Sequence, residues 1–199
     1  MKRALLVSVL VVVVVGMATA QLGSQPRGYE SYASDDLMVS FYYPDDWFVV
    51  EKDENLTVVN RRALADQVGE DEPDLQPGDT VMVVGVLPAM LMAMMGVPAE
   101  DVSSIVDAMF QNMISENGDV QNGDSQTHTV EGRRVASMLF DDSSEEFSGM
   151  IMVTHEQEEV IVFSVALGFR DDLVRNRDLL VRVVSTAEFT GDFSSMMGQ

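Results

Sequence analysis

The stretch EEVIVFSVALG, residues 158–168, constrains the fold more than any other part of the chain. Successive side chains of a strand point to opposite faces. Ile161, Phe163, Val165 and Leu167 fall on one face, and Val160, Val162, Ser164 and Ala166 on the other. Neither set is built to face water. A strand that is apolar on both sides needs a layer packed above it and another below. The small residues of the second face, Ser164 and Ala166, suit a helix lying close over it. TVMVVGVL, residues 80–87, carries the same near-continuous apolar pattern and makes the same demand.

The rest of the chain supplies the layers. Short runs at 29–33, 37–43, 47–51 and 56–60 are β-branched or aromatic and bounded by turn-formers, and they read as an antiparallel meander. Residues 61–68 suit a helical turn or two, and GEDEPDLQPGD, 69–79, reads as a solvated loop. A strand is expected over 79–87. In the segment 101–116, Val102, Ile105, Val106, Met109, Phe110 and Met113 recur at helical spacing, with Glu100 and Asp101 in the first turn and Gly118 at the end. Asn-Gly-Asp occurs twice within 117–125, each copy suited to a tight turn. Strands return from Thr127, with runs at 133–141, 146–155 and 159–168, and a last helix over 171–184 would bury Leu173, Val174, Leu180, Val181 and Val184. Helices set among meanders imply an α+β chain. The expected architecture is an α/β/α sandwich around a central, mainly antiparallel sheet of about seven strands.

The chain opens MKRALLVSVLVVVVVGMATAQ: a basic start, an apolar run, and a small-residue Ala18-Thr19-Ala20. This is the pattern of a signal peptide over 1–20, cleaved after Ala20, and it implies a secreted or periplasmic protein. The alternative is an uncleaved anchor, the one route by which the chain would hold a membrane. Its 17 residues from Ala4 to Ala20 stand at the lower limit for a span. Residues 21–28 read as a flexible leader, 29–190 as one domain, and 191–199 as a loose tail. There is no cysteine, so no disulfide supports the fold. Acids outnumber bases 33 to 12, for a net charge of −21, and once Lys2 is gone Lys52 is the only lysine. Such a field repels phosphate backbones and disfavours nucleic-acid binding.

Several segments then resemble one family. FYYPDDWFVVE, a strand ending in Tyr-Pro, an acidic turn, Trp47 and a second strand, resembles the opening of PsbP-like domains. LTVVNRRALAD resembles their strand and short helix, TVEGRRVASMLF their late strand that opens on Gly-Arg, and VVSTAEF their closing segment. The resemblance covers about residues 30–190, and GDTVMVVGVLPAMLMAMMGVPAED is similar to a bacterial, exported and uncharacterised branch. It implies the sandwich described above. It also implies a non-enzymatic role, because these relatives (photosystem II extrinsic subunits, a nuclear import factor, exported bacterial proteins) share docking to other proteins. No binding residue carries over, since no functional motif matches.

The residues themselves point the same way on chemistry. No cysteine nucleophile exists, and no serine sits in a Gly-x-Ser-x-Gly turn. His128 and His155 lie in or beside strands and read as two surface histidines, and no metal site is expected; the alternative is that they meet across the sheet in a metal or catalytic role, with Glu156 or Glu158 as metal co-ligands. The acidic loops 66–79 and 116–124 are oxygen-rich but fit no calcium-loop pattern. No cofactor is expected. Asn55-Leu56-Thr57 is a glycosylation sequon. Trp47 beside Asp45 and Asp46 is either a turn feeding the core or an aromatic platform for a sugar-binding or hydrolytic site. Met90, Met92, Met94 and Met95 crowd into six residues. Three readings fit them: a short core helix, a copper-binding thioether cluster, or a docking patch of Met90, Leu91, Met94 and Met95. The favoured function is an exported, non-catalytic module that binds another extracytoplasmic protein; sugar binding or hydrolysis, and copper or calcium binding, are the alternatives.

Overall fold

The computed structural model describes residues 25–52, 55–69, 74–94, 96–98, 101–116, 120–121, 123, 125–142, 147–157 and 160–191. The expected signal peptide, half of the leader, Met95, Glu158 and nearly all of the tail lie outside the described residues.

The strand around Phe163, β10 (Val160–Gly168), sits in the middle of the larger sheet, as its two apolar faces require. It pairs antiparallel on one side with β5 (Thr80–Pro88) and on the other with β9 (Ser148–Gln157). Outward from β5 come β4 (Asn55–Val59) and β3 (Phe48–Lys52); outward from β9 comes β8 (Arg133–Asp142). The far edge of β8 is shared by the short β6 (Val120–Gln121) and by β7 (Ser125–Val130). The expected antiparallel sheet is therefore present; β6 was not foreseen.

The two faces are covered as the alternation of β10 demands. Val162 and Ala166 pack with Leu173, Leu180, Val181 and Val184 of α4 (Arg170–Thr186). Ile161, Phe163 and Val165 pack with α2 (Ala89–Met94) and with Val102, Ile105, Val106 and Phe110 of α3 (Val102–Glu116). At the other end of that face, α1 (Arg62–Ala65) places Leu64 against Val59, Val81 and Leu167. The loop before β5 contributes Leu75 to the same cluster, and its Asp79 is buried. Asp79 accepts two bonds from the Arg61 guanidinium, at 2.8 and 2.6 Å, and one from the Gln76 amide at 2.8 Å. The end of the 69–79 segment is thus packed, not solvated.

One correction concerns the N-terminal meander. β1 (Tyr29–Ser34) and β2 (Val39–Pro44) pair with each other and leave the main sheet; β2 pairs on its other side with β11 (Glu188–Phe189). Val39 and Phe41 of this small sheet join Leu56, Val58, Met82 and Val84 in the core on the α4 side. A second correction concerns α4. Val174 is 48% exposed, and Asp172 is buried in the first turn, where its carboxylate accepts the Gly78 amide at 2.6 Å and the Arg175 guanidinium at 2.9 Å. A polar helix–loop contact, which hydrophobic spacing does not register, occupies that turn.

The Gly-Arg pair at the start of β8 has a physical role. Glu131 and Gly132 both have positive φ, 52° and 87°, the requirement of a tight two-residue hairpin between Val130 and Arg133. Arg133 then donates to the Ala187 carbonyl at 2.6 Å and the Ser185 carbonyl at 3.3 Å, and lies 3.5 Å from Glu188. A cation there satisfies carbonyls left open at the end of α4 and opposes the negative end of its dipole. Arg133→Met is expected to cost about 1–3 kcal/mol, read as a fall in denaturation midpoint with unchanged slope.

Asp101 precedes α3 and accepts the Ser103 amide at 3.2 Å and the Ser104 hydroxyl at 2.7 Å. The Ser104 bond, with the Ser103 amide, holds its carboxyl below the usual range. A carboxyl that titrates lower when folded adds stability that is complete above about pH 4 and lost as pH falls through its folded range. Asp101→Ala is expected to cost about 1 kcal/mol at neutral pH, with the difference from wild type vanishing in acid, measured by urea denaturation across pH.

Candidate functional site

The segment Pro44–Trp47 is a corner between two sheets. The Trp47 amide donates to the Pro44 carbonyl at 3.0 Å, and the Asp45 amide to the Gly28 carbonyl at 3.1 Å. The chain turns off the small sheet and enters β3. Asp45 and Asp46 stay exposed, while Trp47 is only 7% exposed and belongs to the core on the α4 side. An indole so placed offers no platform to a sugar, so the sugar-binding or hydrolytic reading is overturned.

The histidines do not meet. His128 lies opposite Val135, and Val135 opposite Thr154. His155 is one residue further along β9, so it points to the other face of the sheet. His128 contacts the Ser137 hydroxyl at 3.1 Å. Among the described residues no three histidine, aspartate or glutamate side chains converge to hold a metal ion.

The methionine cluster divides. Ala89 and Met92 face inward, Met92 with only 4% exposure, and both pack on the α3 side of the sheet. Met90 and Met94 are 40% and 77% exposed, and Leu91 is half-buried. Spaced by four, Met90 and Met94 share one side of the helix. The end of α2 is held firmly. The Gly96 amide bonds the Ala93 carbonyl at 3.0 Å, the Val97 amide bonds the Met92 carbonyl at 2.9 Å, and Gly96 has φ of 76°. That double bond pattern with a left-handed glycine is a Schellman end, and its usual apolar contact is present, since Val97 packs in the same cluster as Met92. The two exposed thioethers therefore stand on a short, fixed platform.

A pocket that sequence reasoning missed lies where β1, β7 and α4 meet. It is a hollow of about 440 Å³, open to solvent. Tyr29, His128, Thr129, Asp178 and Arg182 supply polar groups to it, and Val130, Leu179 and Val181 supply apolar surface. The Arg182 guanidinium lies 5.8 Å from the centre of the Tyr29 ring. Burial pushes the Tyr29 phenol above its usual range, with Arg182 pulling the other way. His128 was noted in the sequence, but as a surface histidine with a metal role as the alternative. Tyr29 and Arg182 stand at opposite ends of the chain, and no local pattern links them.

Among the described residues no helix is long and apolar enough to cross a membrane. No family model matches the sequence, and no curated protein matches it. Solved structures do. The solution structure of a cyanobacterial PsbP from Synechocystis matches at TM-score 0.43 and 14% identity, over 86% of this chain and 98% of that one. A Pseudomonas aeruginosa protein of unknown function matches at 0.45 and 8%, over 79% and 94%. LpqN of Mycobacterium tuberculosis, involved in cell envelope biogenesis, matches at 0.44 and 13%, over 81% and 90%.

Burial of Trp47 has a measurable consequence. Its emission is expected to be blue-shifted and unmoved by added oligosaccharides, and Trp47→Ala to cost about 3–5 kcal/mol in a fluorescence-independent melt followed by circular dichroism.

Proposed function

We propose that this chain is an exported, non-catalytic docking module that holds another extracytoplasmic protein against the outer side of α2. The observation that carries the reading is the fixed display of Met90 and Met94 on a helix whose other side is locked into the core. Large apolar side chains exposed in this way mark contact surfaces, and thioethers adapt to irregular partners. The rest of the surface is strongly acidic, net −21 for the whole chain. A partner that brings an apolar anchor ringed by basic residues would be drawn by the field and held by the methionines. The leader-like start supports export, and the absence of a cysteine and of a Gly-x-Ser-x-Gly turn from the sequence supports the non-catalytic part of the reading.

Photo-crosslinking in cells tests it, with a photoreactive residue at position 94 and, as control, at Val174, which is also apolar and exposed. A discrete adduct is expected from position 94 and not from 174. Met90→Glu should abolish it and leave the melting temperature within a degree or two, since exposed sites contribute little to stability. Equal labelling from both positions, or no adduct from position 94, would overturn the proposal.

A further inference from the structure

We infer that the pocket between β7 and α4 binds a small zwitterion with an apolar side chain, the chemistry of a free hydrophobic α-amino acid. The site is separate from the α2 surface, and the inference is independent of the docking function.

Three observations converge. The first is Arg182. In a chain with 33 acids and 12 bases, Arg61, Arg133, Arg134, Arg170 and Arg175 each pair with a carboxylate. Arg182, like Arg27, Arg62 and Arg177, forms no such pair with the described residues; it lies by the Tyr29 ring, much as Arg62 lies over Phe48, and of these four it is the one that lines the pocket. A planar guanidinium presented this way is suited to grip a carboxylate with two parallel bonds.

The second is Asp178, one helical turn earlier on the same side of α4 and also lining the pocket. Asp178 and Arg182 are not ion-paired to each other, so both charges are presented to whatever enters. A ligand that carries an ammonium beside its carboxylate answers both at once.

The third is the remaining lining. Val130, Leu179 and Val181, with the half-buried Tyr29 ring, give an apolar surface of the kind that takes a Leu- or Phe-like side chain. Net charge decides against a simple anion. A field of this sign repels a free carboxylate at long range but leaves a zwitterion of zero net charge alone. Simple amines would meet the uncompensated Arg182 in the pocket.

Methyl NMR on the chain from residue 21 tests this with three probes: L-phenylalanine, 3-phenylpropionate, which lacks the ammonium, and phenethylamine, which lacks the carboxylate. L-Phenylalanine is expected to shift the Val130, Leu179 and Val181 methyls saturably, with a Kd of about 1 mM or tighter. Each analogue should bind at least about tenfold more weakly, the loss of one charge-assisted contact. Arg182→Gln should abolish L-phenylalanine binding, and Asp178→Asn should bring it down to the level of 3-phenylpropionate. Val130→Trp, on the α4 face of β7 and altering neither charge, should block all probes, with circular dichroism confirming that each variant is folded, so a folding defect in either charge variant leaves the test valid. No saturable shift with L-phenylalanine overturns the inference. So does binding of 3-phenylpropionate or phenethylamine as tight as that of L-phenylalanine, or unchanged binding in Arg182→Gln or Val130→Trp.

Discussion

The two-sided burial of β10 is the constraint on which the architecture rests. Nine consecutive residues, only Leu167 among them less than fully buried, leave no face for water. Every other major element answers that demand. β5 and β9 satisfy the backbone groups along both edges. α4 closes over Val162 and Ala166, and α2 and α3 over Ile161, Phe163 and Val165. Backbone groups buried without partners would cost as much as lost hydrogen bonds, so a strand of this composition is stable only at the centre of a sheet. With no disulfide to restrict the unfolded chain, these apolar layers carry the stability themselves.

Polar contacts then hold the layers in register. Arg133 ties the hairpin between β7 and β8 to the end of α4, and Asp172 ties the start of α4 to the turn before β5. Arg61 and Asp79 link α1 to that same turn. Among the described residues, the exposed large apolar side chains are Met90 and Met94 on α2 and Val174 on α4, set in a chain of strongly acidic composition.

Much of the fold was legible in the sequence because period and composition are local properties. The alternation in 160–168 and the helical spacing of Val102, Ile105, Val106 and Phe110 announced their elements with bounds close to those observed. The N-terminal strands were also legible as strands, but not their assignment to two sheets. Pro44 and Trp47 suit a hairpin turn and a corner equally well; the choice was made by the core, where Trp47 fills the space between the small sheet and the main one. Val174 was misplaced for a related reason, since hydrophobic spacing does not register a buried carboxylate such as Asp172 taking up an amide from another loop.

The candidate sites separate along the same line. The sequence by itself determined that the interior is apolar and layered, that the exterior is acidic, and that methionines crowd one short segment, because each of these is read from neighbouring residues. Only the tertiary structure decided which methionines face out, since the sheet beneath α2 chooses the buried side. It also decided that His128 and His155 point to opposite faces, a matter of strand register. And it alone brought Tyr29 beside Arg182, because contacts between the two ends of a chain exist only once the layers between them have closed.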